Sequence, residues 1–443
     1  MKSLARLVIF AGLIPSVAYA QPARPVTPAA PAHASAAGGA TAAPATDPAT
    51  GAALPPEEED LSMTFHAARP VDMQAFATGS LQEISIGKAK ARYALNLFGD
   101  VGFGVASKSE GELRPDPAFA VGVMDMLFSA ELEGKIVATS EISFQYEPNN
   151  PLAELERLHL RWNPNKYAFV EAGRFHTDIG YWNVAYHHGK WLQLPIERPR
   201  SIALHGGLLP THWIGVQGGL KAPVGKGSIN LIGSMGSARD PIGSTSHQSH
   251  GSTNTPFNGG HLKLETEGLL LRDLHMGVAG IYDRIASEAA FTRPALPDQG
   301  IDEYVGNVFI AYPSIPVTLI AEAYEILHKI PVGDTASGLA GAKWRTYGVF
   351  ALAGYSFGKF TPYVKGEYVT NTANNDNPDP FYVPEPKSPH PPAVALKMTE
   401  LTLGMRIDTS VWSALKVEYR ATKRTDLGIP LIHAAIVNWS FGI

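Results

Sequence analysis

The side chains best suited to chemistry are concentrated between residues 176 and 210. They combine imidazoles, both signs of charge and aromatic rings, and comprise His176, Asp178, Tyr181, Trp182, His187, His188, Lys190, Trp191, Glu197, Arg198, Arg200 and His205. Arginine and carboxylate groups around a narrow passage can replace the lost hydration of a polar solute and orient its dipole. The aromatic rings either offer sliding surfaces for sugars or anchor the segment to a wall, and the sequence leaves both readings open.

Metal binding is not predicted for the histidines. His187 and His188 are adjacent, so in an extended chain their side chains point in different directions, and no carboxylate lies at helical ligand spacing to join them with His176, His205 or His212. The oxygen-rich segment 374–379 lacks the central glycine of a calcium-binding loop and is interpreted as a polar loop. We therefore expect no metal and no cofactor.

Catalysis is not predicted either. The chain contains no cysteine, which excludes thiol catalysis, and it has no G-x-S-x-G, H-E-x-x-H or glycine-rich phosphate motif. His159, between Arg157 and Arg161, is the only strand-borne candidate for a hydrolase. The mild net charge of −5 gives no basic excess, so nucleic acid is not an expected partner.

The N-terminal region predicts export. Lys2 and Arg6 precede the apolar run 7–13, and Ala18-Tyr19-Ala20 matches a signal-peptidase site, so residues 1–20 are interpreted as a signal peptide. Residues 21–60 are rich in Pro and Ala and are expected to form a disordered linker. A short periplasmic segment, residues 61–90, is predicted to lead into a folded region at 91–443.

From residue 93 onward, apolar and polar residues alternate with the period of a β-strand. Leu415, Val417 and Tyr419 alternate with Lys416, Glu418 and Arg420. No run approaches 18 uninterrupted apolar residues, so any insertion into a membrane must use strands. One face of each strand is expected to meet lipid and the other face water.

Sixteen segments show this pattern, an even number. They are 93–105, 117–131, 135–146, 155–162, 167–175, 211–221, 227–236, 260–267, 274–285, 302–312, 315–328, 344–357, 360–370, 396–408, 412–423 and 432–443. Their connections alternate between short and long, as in outer-membrane barrels, where every second connection faces outward. The predicted fold is an all-β transmembrane antiparallel β-barrel of about 16 strands, with short periplasmic turns and long external loops.

Charged residues on the polar face of these strands are predicted to line the lumen, because a charge on the lipid face at mid-bilayer costs about 2–4 kcal/mol. They are Arg157, Arg161, Arg174, Lys365, Glu367, Arg406, Lys416, Glu418 and Arg420. Basic groups outnumber acidic ones in this set. The sequence therefore suggests a weak preference for anions, opposed by the acidic overall balance of the chain.

Several strand motifs resemble the bacterial outer-membrane porin superfamily, particularly its 16-strand general and phosphate-type members. They are Glu171-Ala172-Gly173-Arg174-Phe175, Tyr355-Ser356-Phe357, residues 361–367 and Gly404-Met405-Arg406-Ile407-Asp408. The C-terminal residues 437–443 resemble a barrel assembly signal, although Phe441 lies two places before the end. The resemblance spans roughly residues 85–443.

This resemblance implies passive diffusion of small polar or ionic solutes through a barrel in the outer-membrane lipid, commonly as a homotrimer. It also implies that the third external loop, residues 176–210, folds into the lumen and sets selectivity. The alternative is a barrel that does not conduct and serves as a scaffold or adhesin through its long loops.

Overall fold

A computed structural model describes the chain from residue 82 onward, with gaps. The described residues are 82–86, 89–108, 115–145, 152–186, 189–203, 208–237, 239, 259–286, 299–335, 337–373, 379, 381–382, 397–425, 428 and 430–443. The predicted signal peptide and the Pro/Ala-rich linker lie outside them. Within the described part of the chain, no helix has the length and hydropathy needed to cross a bilayer.

Seventeen strands join into one antiparallel sheet in the described residues. They are β1 Gln82–Ile86, β2 Ala89–Ala106, β3 Ala118–Leu132, β4 Ile136–Gln145, β5 Leu152–Asn165, β6 Ala168–His176, β7 His212–Val224, β8 Gly227–Ser237, β9 Gly259–Glu267, β10 His275–Ile285, β11 Ile301–Pro313, β12 Val317–Lys329, β13 Lys343–Tyr355, β14 Phe360–Ala373, β15 Met398–Ser410, β16 Ser413–Arg424 and β17 Ile432–Gly442. Each of the sixteen predicted segments matches one strand from β2 to β17, which confirms the predicted fold.

The sheet closes on itself into a barrel of sixteen strands, β2 to β17. The last strand pairs antiparallel with β2, from Ala434 opposite Ala106 to Gly442 opposite Phe98. The backbone amide of Ile443 then donates to the carbonyl of Leu97 at 2.9 Å. The short strand β1 pairs with the beginning of β2, where the sequence predicted only a segment leading into the barrel.

Alternation of side chains fixes which face of each strand is inside. Along β15, Glu400 and Thr402 are buried in the interior, whereas Leu401 and Leu403 are nearly half exposed on the outer surface. The same alternation runs through every residue of β17. An apolar outer surface and a polar inner wall are what the membrane requires of a barrel.

Connections differ in length at the two ends of the barrel. The end at which β2 begins and β17 ends carries the short turns 133–135, 166–167, 225–226, 268–274, 314–316, 356–359 and 411–412. The opposite, external end carries the longer connections 107–117, 146–151, 177–211, 238–258, 286–300, 330–342, 374–397 and 425–431. The sequence analysis had not assigned the turn 268–274 or the loop 425–431.

Aromatic side chains lie on the outer surface near both ends of the strands. Trp162, Tyr355 and Trp439 lie near the turn end, and Tyr304 and Tyr368 lie nearer the external end. Each of them is between 42% and 56% exposed. These positions fit the two aromatic girdles that border the apolar belt of a membrane barrel.

Candidate functional site

The third external loop, residues 177–211 and hereafter loop L3, joins β6 to β7, and its described residues, 177–186, 189–203 and 208–211, lie inside the barrel. At its base the amide of Thr177 donates to the carbonyl of Thr211 at 3.0 Å. A single helical turn, α1, spans Trp182–Ala185. Loop side chains pack with wall residues in one buried hydrophobic cluster. The loop members of this cluster are Ile179, Tyr181, Trp182, Tyr186, Trp191, Leu192, Leu194, Ile202, Leu208 and Leu209. The hydrophobic core of this protein therefore lies within the barrel.

Strand β12 holds the beginning of loop L3. The Glu322 carboxylate accepts hydrogen bonds from the amides of Tyr181 at 3.0 Å and Trp182 at 2.6 Å. The Trp182 ring also packs edge-on against Phe350 of β13, with 5.7 Å between ring centroids. Both contacts reach the wall on the far side from the base of the loop.

Gly180 allows the backbone of loop L3 to approach Glu322 closely, because glycine has no Cβ atom. It adopts φ of +70°, and a Cβ atom there would lie 2.0 Å from Oε2 of Glu322. We expect Gly180→Ala to displace Glu322 from the loop and to destabilise the protein more than Gly338→Ala. Gly338 has the same φ with nothing within 4 Å, so its substitution should show only the backbone strain, about 1–2 kcal/mol.

Thermal unfolding of the two variants in detergent measures the difference. Equal losses of stability would mean that Glu322 yields without consequence and does not hold the loop.

Two cations on β15 and β16 bind the middle of loop L3. Lys416 Nζ donates to the carbonyls of Lys190, Gln193 at 2.6 Å and Pro195 at 3.2 Å. Arg406 donates to the carbonyls of Trp191 and, at 3.1 Å, Gln193. Both side chains are fully buried, so these predicted pore-lining residues lie beneath the loop.

Glu418 on β16 completes this attachment. Its Oε1 accepts hydrogen bonds from the amide of Ile196 at 2.6 Å and from the Tyr363 hydroxyl at 2.8 Å. Its Oε2 pairs with the Arg420 guanidinium at 2.6 Å. Hydrogen bonds to charged groups are stronger than neutral ones, so this edge of the loop is firmly held.

The part of loop L3 around Arg200 contacts β14 and β15. Glu367 Oε2 accepts a hydrogen bond from the amide of Arg200 at 2.7 Å, and Glu367 Oε1 pairs with Lys365 at 2.5 Å. Lys365 is also 3.5 Å from Glu400. Two of the predicted pore-lining residues, Lys365 and Glu367, thus lie in a buried network of charged groups next to Arg200.

The remaining predicted wall charges lie on β5 and β6. Arg157 pairs with Glu141 and Arg161 pairs with Glu171, each at 2.7 Å and on the inner face. Arg174 lies opposite Leu158, which is exposed on the outer surface, but the Arg174 side chain is only 14% exposed, donates to the Glu156 carbonyl at 2.9 Å and lies 3.8 Å from Glu154. Glu171 pairs with the inward Arg161, so regular alternation directs Arg174, three residues later, to the opposite face of β6.

Three charged groups of loop L3 keep partial contact with solvent. The exposed fractions of the Lys190, Glu197 and Arg200 side chains are 25%, 45% and 30%. Lys190 Nζ lies 3.3 Å from Glu197 and 3.1 Å from Asp100 of β2. These three side chains, hereafter the eyelet, are the part of loop L3 best placed to meet a passing solute.

The eyelet is charged at physiological pH. Burial by itself would raise the pKa of Glu197, but the charges of Lys190, Arg420 and Arg200 outweigh burial and hold that pKa below its usual range. Asp100 and Glu197 hold the pKa of Lys190 above its usual value despite burial. Both signs of charge therefore stand side by side in the eyelet.

The other predicted loop residues are placed as follows. His187, His188 and His205 lie outside the described residues. Tyr181, Trp182 and Trp191 are buried, which favours anchoring over an open sliding surface. Arg198 donates to Asn183 at 2.7 Å, Asp178 pairs with Lys263 at 2.6 Å, and the His176 ring packs against His212. The described residues contain no group of three or more His, Asp or Glu arranged for a metal.

A second buried network, hereafter the external cluster, joins three loops at the external end. Arg239 of the fourth loop pairs with Glu303 of β11 at 2.8 Å and donates to the Leu208 carbonyl of loop L3 at 2.6 Å. His328 of β12 lies 2.9 Å from Glu303 and 2.7 Å from Asp379 of the seventh loop. Each of the two ring nitrogens of His328 therefore lies next to a carboxylate. Together with the contacts of Arg239, these pairs join the third, fourth and seventh loops in one buried charged network.

Sequence reasoning did not single out Glu322, Lys263 or the external cluster. The inner row of β12 reads Thr318, Ile320, Glu322, Tyr324, Ile326 and His328. Apolar residues in that row pack against loop L3, so they hide the polar inner pattern on which the prediction relied. The density of acidic and imidazole groups between residues 322 and 328 was the one available signal.

Known structures share this architecture. The outer membrane channel DcaP of Acinetobacter baumannii superposes with a TM-score of 0.53 at 13% identity, covering 80% of this chain and 97% of that one. OmpT of Vibrio cholerae and Salmonella typhi OmpF each give 0.49, at 11% and 13% identity, covering 82% of this chain and all of theirs. No protein-family model and no curated protein sequence matches the chain.

The resemblance to outer-membrane porins is confirmed at the level of the fold. The shared feature is a closed barrel of sixteen antiparallel strands. Such a barrel belongs in the bacterial outer membrane, since its outer surface is suited to lipid and its inner wall is polar.

Proposed function

We propose that this protein is an outer-membrane channel for the passive diffusion of small polar or ionic solutes, narrowed by loop L3. The observation that carries the proposal is the attachment of the loop across the lumen to β12, β15 and β16, with the charged eyelet left in contact with solvent. A path between the eyelet and the wall would admit solutes according to their size and charge. The proposed function requires no catalytic step.

The proposed passage is narrow. Most inward side chains among the described residues are buried, including the wall charges beneath loop L3. The same observation favours the second candidate, a barrel that does not conduct and acts as a scaffold or adhesin. Single-channel recording separates the two functions.

The experiment is to reconstitute residues 21–443 in planar lipid bilayers and record current in a salt gradient. Discrete ohmic steps support the channel, and steps in groups of three support a homotrimer. Folded protein that inserts into the bilayer without steps would overturn the channel proposal and favour the scaffold.

Ion selectivity is expected to depend on the eyelet. Glu197→Gln removes a half-exposed carboxylate 3.3 Å from Lys190, so the reversal potential should shift toward anion preference. The pKa of Glu197 lies below its usual range, so the side chain stays ionised at pH values above that range. It becomes protonated only in stronger acid. The contribution of Glu197, measured as the difference in reversal potential between the wild-type and Glu197→Gln proteins, should therefore stay constant between about pH 7 and about pH 5.

A matched control is Glu325→Gln, which removes a carboxylate of similar exposure from the outer face of β12. That variant should keep the wild-type reversal potential. If the two variants shift it equally, the eyelet does not set selectivity.

A further inference from the structure

Strand β5 carries a bulge that turns two successive charged side chains into the barrel. Arg157 lies opposite Glu141 of β4, and the next pair in register is Leu155 with Ile142, so Glu156 is the extra residue. Glu156 and Arg157 are both buried, whereas regular alternation would direct one of them outward. Bulges are common beside functional sites, where they re-aim side chains. The inner wall here therefore carries more charge than a regular strand would place on it.

Loop L3 adds a second buried arginine beside this wall. The Asn183 amide donates to the carbonyls of Thr177 and Thr211 at 2.8 and 3.0 Å, which fixes the amide at the base of the loop. The Asn183 side-chain oxygen accepts a hydrogen bond from Nη2 of Arg198 at 2.7 Å. Because Arg198 is only 8% exposed, its guanidinium is held inside the barrel, close to the base of the loop.

The two arginines carry more hydrogen-bond donors than the surrounding protein satisfies. Nε of Arg157 donates to Glu141 at 2.7 Å. Among the described residues, no acceptor lies within hydrogen-bond distance of Nη2 of Arg157, or of Nε and Nη1 of Arg198. A buried donor without an acceptor is costly, and buried polar groups in proteins are nearly always hydrogen-bonded. Three such nitrogen atoms on two cations therefore indicate a binding site for a ligand that supplies acceptors.

The nearby carboxylates do not fully compensate the buried guanidinium of the loop. Glu141 pairs with Arg157 at 2.7 Å, and Glu156 lies 3.1 Å from Nε2 of His212. Burial lowers the pKa of Arg198 to about 10, and the charges of Glu156 and Glu141 offset this effect only in part. The Arg198 guanidinium is still a cation at neutral pH, so a further negative charge close to it would be stabilising.

We propose that Arg157 and Arg198 bind a small monovalent carboxylate between loop L3 and β5. A carboxylate offers two acceptor oxygen atoms, which matches free donors on two guanidinium groups. Because Glu141 and Glu156 already bring two negative charges to this site, a monovalent anion is repelled less than a divalent one. The ligand would join the base of the loop to the wall. The site is separate from the eyelet, whose residues contact β2 and β15.

The test uses formate as the probe. Mature protein, residues 21–443, is titrated in detergent with sodium formate at constant ionic strength, and binding is measured by isothermal titration calorimetry. Arg198→Gln keeps an amide that can donate to Asn183 but removes the charge, so it should weaken formate binding by about 10- to 100-fold. Arg157→Gln changes a different element and should weaken binding to a similar extent. Arg198→Lys keeps the charge and should bind formate more tightly than Arg198→Gln.

The control is Arg345→Gln, which removes an arginine that is 53% exposed on the outer face of β13 and should leave the affinity for formate unchanged. The wild-type protein should also bind formate more tightly than chloride, which lacks paired acceptor atoms. The proposal is overturned by the absence of saturable formate binding, by equal affinities for formate and chloride, or by wild-type affinity in both Arg157→Gln and Arg198→Gln. None of these measurements depends on conduction, so their failure would leave the channel proposal intact.

Discussion

The Lys416→Met variant is expected to conduct roughly twofold more current per channel than the wild-type protein. Methionine fills a similar volume but leaves the carbonyls of Lys190, Gln193 and Pro195 without the ammonium that they share. A buried acceptor without a donor costs about 1–3 kcal/mol, so the loop should move until these carbonyls reach water. Moving loop L3 from β16 widens the proposed passage.

Adding Arg406→Met should increase the effect, because Arg406 holds the neighbouring carbonyls of Trp191 and Gln193. Larger neutral solutes should then enter liposomes that contain the double variant. Planar-bilayer conductance and liposome swelling measure the two effects separately.

Lys423→Met is the matched control for Lys416→Met, since it removes a lysine from the same strand on the exposed, outward side. Its conductance should equal the wild-type value. A folded Lys416→Met protein with unchanged conductance would show that loop L3 does not limit the current.

The largest expected loss of stability comes from Glu303→Ala in the external cluster. The carboxylate is fully buried between Arg239 and His328. Removing one partner of a buried ion pair leaves an uncompensated charge and typically costs about 3–5 kcal/mol. We expect the variant to unfold at a clearly lower temperature and the third, fourth and seventh loops to become sensitive to added protease.

Glu325→Ala provides the control for this experiment. It breaks the acid–arginine pair between Glu325 and Arg345, whose side chains are 44% and 53% exposed. Exposed pairs contribute about 0–1 kcal/mol, so thermal stability and protease resistance should stay near the wild-type values. Equal effects of the two alanine variants on both measurements would mean that the external cluster does not hold the loops.

These loop contacts explain why part of the inner wall was difficult to predict. On β16, Lys416, Glu418 and Arg420 alternate with apolar residues, so their inward orientation followed from the sequence alone. On β12, Ile320, Tyr324 and Ile326 also face inward. They can be apolar because loop L3 covers that part of the wall. Alternation identifies an inner face only where the face is polar.

Arg174 illustrates a second limit. Regular alternation from the inward Glu171 directs Arg174, three residues later, to the opposite face, yet next to Gly173, whose φ is +132°, the Arg174 side chain reaches Glu154 and the Glu156 carbonyl and is only 14% exposed. A glycine with positive φ is permitted by the sequence but not required by it. The side an irregular strand residue faces therefore depends on its neighbours in the sheet.

The sequence by itself determined the sixteen barrel strands, the inner face of strands whose inward residues are polar, and the difference between the two ends, because period-two alternation and connection length are local properties. The resemblance of its strand motifs to porins indicated which loop enters the lumen. Only the tertiary structure decided that Lys416 and Arg406 lie beneath this loop, and that Glu322 and the external cluster bind loops to the wall. Such contacts join residues as far apart as Ile196 and Glu418, and they depend on how the closed barrel brings distant strands around one interior.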